Sequence, residues 1–148
     1  VSGFVDQALE AGATVVSGGH KLPELGPFFY APTVVTEVTA AANLYRKEVF
    51  GPVLDVEGYD SIESAIEQAN DTEYGLVAYA FTKDLNRGLR LAESLEIGMF
   101  GLNTGIVSNP AAPFGGVKAS GVGREGGREG IEEYLETVYI GIADPFED

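Results

Sequence analysis

The 148 residues contain no cysteine. That absence excludes a disulfide framework, a thiolate metal site and a cysteine nucleophile within the chain. A single histidine, His20, leaves too few imidazoles for a histidine metal centre or a Ser-His triad. It falls in a Gly/Pro-rich stretch and reads as an exposed loop residue, and no metal is expected. Basic residues are scarce as well: 9 Lys and Arg stand against 23 Asp and Glu, a net charge of −14. The phosphates of nucleic acid and an anionic membrane surface both repel such a chain, so neither is an expected partner. Long apolar runs are missing too, and residues 1–20 do not resemble a secretory leader, which makes a cytoplasmic setting the expectation.

What is present suffices for one ordinary domain. A hydrophobic fraction of 45% can build a core. Val1, Val5, Ala8 and Leu9 recur at helical spacing, with Gly12 where a glycine stop belongs. A helix that starts without a cap reads as part of a longer protein. Residues 14–17 read as a short strand and 28–38 as extended, with an edge or a bend expected at Pro32. Residues 53–59 read as a strand. Residues 60–70 read as a helix capped by Asp60, with Glu63 in a capping-box position and Ile62, Ala65, Ile66 and Ala69 on one face.

Residues 76–81 are near-continuously apolar, as a strand buried on both faces would be. Residues 84–96 read as a helix with Leu85, Leu89, Ala92 and Leu95 inward and Gly98 as its stop, and 99–103 as a strand. Strand, helix, strand, helix, strand predicts an α/β fold, a parallel-rich sheet from two consecutive βαβ units. Residues 124–135 are expected to be helical. Residues 137–142 alternate Val138, Ile140 and Ile142, a strand with one apolar face. The domain reading divides the chain into 1–136, one portion of a domain, and 137–148, a terminal strand with an acidic tail.

Between them lies the stretch that organises the chain, residues 101–125, with glycines, prolines and no apolar period. So long a loop leaving the end of a strand is a place where binding groups sit. Gly121-Val122-Gly123-Arg124-Glu125-Gly126 matches Gly-x-Gly-x-x-Gly, but no strand precedes it, so it is expected to be a turn rather than a pyrophosphate cradle.

Pro113-Phe114-Gly115-Gly116-Val117-Lys118-Ala119-Ser120-Gly121-Val122-Gly123-Arg124-Glu125 resembles the C-terminal signature of the aldehyde dehydrogenase superfamily. Lys47-Glu48-Val49-Phe50-Gly51-Pro52-Val53 resembles its cofactor-contacting Glu-x-Phe-Gly-Pro motif, although Lys47 stands where an acidic residue is more usual. Asn103-Thr104-Gly105-Ile106-Val107-Ser108-Asn109 is similar to the succinate-semialdehyde dehydrogenases.

The resemblance implies an NAD- or NADP-dependent oxidoreductase that oxidises succinate semialdehyde to succinate, with another small acidic semialdehyde as the alternative substrate. It implies that Glu48 contacts the nicotinamide ribose and Phe50 the ring, and that Ser108 contacts the substrate carboxylate. It also implies that Phe114 lines the substrate funnel and that Glu125 lies near the path of water and protons to an acyl-enzyme. No catalytic residue is expected in the chain itself, because the resemblance places the nucleophilic cysteine and the base upstream of Val1. It further implies a homo-oligomer joined through the last strand. Read from the residues alone, Glu48 and Phe50 are also an exposed helix-end glutamate and a core phenylalanine, Ser108 a solvated loop serine, and Arg124-Glu125 a surface ion pair. Two rival readings are a stand-alone binding or assembly module and an inert truncated product.

Overall fold

A computed structural model describes residues 1–144. The chain divides into two compact units, Val1–Ser64 and a second from Ala65 onward.

The first unit opens with α1 (Ser2–Glu10), which buries Val5 and Ala8 completely. Gly12, at a φ of 101°, ends it as expected. Its N–H donates to Leu9 O at 3.0 Å while Ala13 N–H donates to Ala8 O at 3.0 Å, the paired bonds of a Schellman stop. A three-stranded sheet follows in the order β1 (Thr14–Ser17), β2 (Thr33–Thr36), β3 (Val53–Asp55). β1 is antiparallel to β2, and β3 is parallel to it. Helix α2 (Asn43–Arg46) lies between β2 and β3 in sequence. Ala8, Ala13, Val35, Val38, Ala42 and Leu44 form the core, with Val49 and Val53 packed against it.

The edge expected at Pro32 is not found, because β2 is the middle strand. Pro32 instead sits just before pairing starts, at Thr33, whose N–H donates to Pro52 O at 2.8 Å. The donor that proline lacks is therefore not missed by the ladder.

At the end of β3, Asp55 keeps one carboxyl oxygen, Oδ1, buried without a partner. Burial, a side-chain hydrogen bond with Glu57 and the Glu57 charge push its carboxyl up to about 6, against a weaker opposing bond from the Val56 backbone. Glu57 also accepts the Val38 N–H at 2.7 Å, tying β3 back to the end of β2.

Helix α3 (Ile62–Asn70) is capped by Ser61 rather than by Asp60, which lies one residue too early to reach the first turn. Ser61 N–H donates to Ser64 Oγ at 3.3 Å and Ser64 N–H to Ser61 Oγ at 3.1 Å.

The second unit holds β4 (Tyr74–Gly75), β5 (Val77–Ala80), α4 (Leu85–Ser94), β6 (Met99–Leu102), β7 (Val117–Lys118) and a 3₁₀ helix (Glu129–Tyr134). β5 and β6 are parallel, paired from Val77↔Met99 to Ala80↔Leu102, and α4 links them. β4 and β7 are antiparallel. Parallel strands and helices make the fold α/β, as expected, but of the two expected βαβ crossovers only β5–α4–β6 closes within one sheet. β3 makes its ladder with β2 instead.

The inward face of α4 also differs. Asp84 caps it, accepting the Arg87 N–H at 3.2 Å, but Leu85 and Leu89 are 64% and 52% exposed and Ala92 is exposed. Gly88 is the buried position, with Leu91 and Leu95 half-buried beside it. Gly88 sets that choice: a Cβ there would lie 2.8 Å from the Leu102 methyls, so the helix rests on β6 through its smallest residue. Gly98 does not stop the helix, which ends at Ser94. It opens β6, where the carbonyl of Gly115 fills the space a side chain would take.

The stretch 76–81 is not covered on both faces, since Leu76, Tyr79 and Phe81 are 39%, 44% and 72% exposed. The helix expected over 124–135 is reduced to the 3₁₀ turn. Gly126 and Gly127, at φ 65° and 59°, lie in the left-handed region that an α-helix cannot use. Residues 137–142 form no strand, and Val138, Ile140 and Ile142 stay largely exposed. A strand exists only as one side of a ladder, and the described residues offer these none. Residues 145–148, the acidic tail of the domain reading, lie outside the described residues. No helix among the described residues is long and apolar enough to cross a membrane.

Two outcomes test this packing. Gly98→Ala should destabilise the protein by about 2–3 kcal/mol, because backbone occupies the space, whereas Gly88→Ala should stay within about 1 kcal/mol, since leucine methyls can yield and helix propensity improves. Urea unfolding of both variants measures this, and a reversed order would refute the packing described. For Asp55, a folded pKa above the ordinary value of 3.8 means that the folded state holds the proton more tightly. Its contribution is full below the ordinary value and is lost as pH rises through about 6. Asp55→Asn, which cannot ionise, should therefore gain stability over the parent at pH 8 by on the order of 1 kcal/mol, the net worth of one hydrogen bond. At pH 4 the difference should close. A gap equal at both pH values would show that ionisation plays no part.

Candidate functional site

Each unit presents one group of candidate residues. In the first unit, α2 ends at Arg46, and Lys47 leaves it extended, with φ −123° and ψ 143°. Val49 is half-buried and packs on the core, while Glu48 and Phe50 on either side are exposed. Phe50 is the middle residue of the tight turn that the Gly51 N–H closes on Val49 O, so the two exposed side chains flank the anchored Val49. Phe50 is 87% exposed, so it is not the core phenylalanine of the plainer reading.

The backbone beyond is tightly fixed. Gly51 N–H donates to Val49 O at 2.7 Å, Val53 N–H to Gly51 O at 2.9 Å, and Pro52 O accepts from β2. One apolar anchor and two tight turns thus fix the backbone that carries an exposed carboxylate, Glu48, and an exposed ring, Phe50. A carboxylate can accept both hydroxyls of a ribose, and a flat ring can pack a planar heterocycle.

In the second unit the loop leaves β6 at Asn103, with φ 55°. Asparagine is among the residues that tolerate this conformation. Its side chain closes the end of the ladder: Oδ1 accepts the Thr82 N–H at 2.8 Å and Nδ2 donates to Thr82 O at 2.8 Å. The Thr104 hydroxyl then donates to Ile106 O, and Asn109 Oδ1 accepts the Ala111 N–H at 3.0 Å. Ser108 lies exposed between these two side-chain-fixed turns.

Phe114 and Glu125 come together as a backbone rung, each donating its N–H to the other's carbonyl at 2.7 Å. Beside the rung opens a cavity of about 540 Å³ whose lining includes Phe114, Ser120, Arg124, Glu125, Glu133 and Tyr134. Ser108 is not part of that lining. Arg124 is not the surface ion-pair partner of Glu125. Its Nη1 donates to Gly116 O at 2.7 Å and Gly123 O at 2.8 Å, lacing the loop across its width.

The Gly-x-Gly-x-x-Gly match is a turn, with only the two-residue β7 before it and no α-helix after it. His20 is exposed, with Nδ1 3.1 Å from Gly18 O. No group of three or more acidic, histidine or cysteine side chains among the described residues could hold a metal.

Sequence reasoning passed over Lys118 and Ser120. Ser120 Oγ accepts the Gly75 N–H at 2.9 Å, and Lys118 Nζ donates to the carbonyls of Asn70 at 3.0 Å and Thr72 at 3.2 Å. Nothing in the local pattern announces these bonds, because their partners lie more than forty residues away.

Known proteins resemble this chain in sequence and fold. The aldehyde dehydrogenase family model matches residues 1–140. A succinate-semialdehyde dehydrogenase of Paenarthrobacter nicotinovorans is 53% identical over the whole chain and 33% of its own length. An NADP(+)-dependent succinate-semialdehyde dehydrogenase of Escherichia coli is 49% identical over 96% of the chain and 29% of its own length. Among solved structures, the NAD+ complex of a Bacillus cereus aldehyde dehydrogenase superposes with a TM-score of 0.84 at 40% identity, over 91% of this chain and 27% of that one. Relatives 47–49% identical are named for 3-sulfolactaldehyde, aspartate semialdehyde and glutarate semialdehyde. The chain spans about a third of the length of the curated relatives it matches. With a family model covering nearly all of its residues and both motifs held at fixed surface positions, the chain belongs to the aldehyde dehydrogenase family.

Proposed function

We propose that these residues form walls of an NAD(P)-dependent aldehyde dehydrogenase that oxidises a small aldehyde bearing a second acidic group, succinate semialdehyde first among them. The observation that carries this reading is Ser108, held exposed between two fixed turns in a motif similar to that of the succinate-semialdehyde dehydrogenases. A hydroxyl there can donate to a substrate carboxylate. The names of the relatives keep several acidic aldehydes within the class, which suits a contact that recognises the acid rather than the chain length.

Glu48 would accept the ribose hydroxyls and Phe50 would pack against the nicotinamide, whose chemistry is to accept a hydride. Phe114 would exclude water from the aldehyde, and Glu125 would stand where protons and water approach. A thiolate nucleophile is required for the family's acyl-enzyme chemistry, and this chain has no cysteine. The nucleophile is therefore assigned to sequence outside these residues, in keeping with the share of each relative that the chain spans. Residues 137–142 are proposed to pair with a sheet edge of a neighbouring subunit, supported by their bare apolar side chains.

Two substitutions in the complete enzyme test the reading. Ser108→Ala should raise KM for succinate semialdehyde roughly tenfold, the worth of a hydrogen bond to a charged group, and change KM for butanal less than about twofold. Equal shifts for the two aldehydes would remove Ser108 from substrate recognition. Phe50→Ala should weaken cofactor binding about tenfold by titration calorimetry while moving stability by less than about 0.5 kcal/mol, as expected for an exposed ring. Unchanged cofactor affinity would refute its assignment.

A further inference from the structure

We propose that Lys118 is a positioning residue: its ammonium fixes where the Phe114–Glu125 rung stands and so sets the wall of the aldehyde site. The proposal rests on the reading of Phe114 and Glu125 given above, and it begins from a conformational anomaly. Lys118 has a φ of 55°, in the left-handed region. Asn103 shares that region at little cost because asparagine tolerates it, but an ordinary residue such as lysine is disfavoured there by roughly 1–2 kcal/mol. Something outside the local backbone must hold it.

The side chain supplies that hold. Nζ has three donors, and three acceptors meet it: Asn70 O, Thr72 O and the carboxylate of Glu96. Asn70 ends α3, so a cation here faces the unsatisfied carbonyls and negative pole of that helix. The lysine side chain is 25% exposed and its ion-pair partner Glu96 59%, so the two carbonyl bonds, rather than the ion pair, carry most of the hold.

The consequence reaches the site through the backbone. Next to Lys118, Ala119 N–H donates to Glu73 O at 2.9 Å, Ser120 Oγ accepts from Gly75, and β7 pairs with β4. These contacts fasten residues 117–120 to residues 70–75. Phe114 lies four residues before Lys118 and Glu125 seven residues after it, joined as the rung and laced by Arg124. Loosening Lys118 releases the turn between the two ends of the rung.

Three variants of the complete enzyme separate anchoring from backbone preference. Lys118→Met keeps the stem and removes the donors. Lys118→Arg keeps a cation, and Lys118→Gly relieves the backbone while removing the anchor. The Met and Gly variants should lose about 10- to 100-fold in kcat/KM for the aldehyde, the scale of a displacement of about 1 Å, with cofactor affinity unchanged. The Arg variant should recover most of the loss. Amide exchange at Phe114, Ala119 and Glu125 should quicken in the Met and Gly variants and stay near the parent rate in Arg. If Lys118→Met fails to fold, Glu96→Gln, which removes only the ion pair, should move both readouts in the same direction by a smaller factor.

A Met variant with parental kcat/KM and exchange would overturn the proposal, as would a Gly variant equal to the parent. Assays use both succinate semialdehyde and butanal. A parent enzyme active on butanal alone would refute the acidic-substrate reading and leave the Lys118 comparison standing. With a parent active on neither, the enzymatic reading falls, and unchanged exchange in Lys118→Met would still overturn the anchoring.

Discussion

The rung between Phe114 and Glu125 is the constraint on which the second unit depends. Two backbone bonds of 2.7 Å turn a glycine-rich stretch without apolar periodicity into a surface with a fixed shape. The stretch could not be fixed by a hydrophobic core, because it has few side chains to bury. It is fixed by polar backbone groups finding one another, and glycine lets them approach. The carbonyl of Gly115 occupies the place of a side chain at Gly98, and Arg124 reaches two further carbonyls from within the loop. Each such bond is worth only about 1 kcal/mol net, yet leaving its partner buried and unpaired costs more. Several that must form together therefore specify one arrangement.

The motif in the first unit is held by a different force. Val49 packs against the core cluster that contains Leu44 and Val35, while the residues on either side of it stay exposed. The turns at Gly51 and Val53, with Pro52 O bonded to the Thr33 N–H, then fix the backbone where it enters β3.

This difference explains what the sequence disclosed. Periodicity reports burial, so α1 with Val5 and Ala8, its stop at Gly12, and the places of the short strands around the core were legible. The strand expected over 53–59 nevertheless ends at Asp55, and the extended run 28–38 forms a strand only over Thr33–Thr36. The exposure of His20 followed from its Gly/Pro-rich surroundings. The positions of Glu48, Phe50, Ser108 and Phe114 were nameable only through motif resemblance, because an exposed glutamate or serine leaves no trace in a hydrophobic pattern. Lys118 and Ser120 were not legible at all. Their partners lie far away in sequence, and a lysine in an irregular loop reads as solvated until its acceptors are seen.

The misread elements have a common cause. Leu85 and Leu89 on α4, Phe81 after β5, and the alternating Val138, Ile140 and Ile142 are apolar in pattern and exposed in fact. Scattered exposed leucines need no explanation, but whole helix and strand faces do. A sequence is shaped by the burial of the complete molecule, whereas these residues show only the burial that this chain can provide. The two agree where a core closes on itself, as around Val35. They part where an amphipathic face has no opposite layer within the described residues. That pattern supports the proposed place of this chain in a longer enzyme, and it orders the two kinds of anchoring. Val49 draws on a core already closed in the first unit. The rung relies on bonds within its own loop and on the Lys118 contacts to residues 70–75, so its geometry does not wait for the missing faces to be covered.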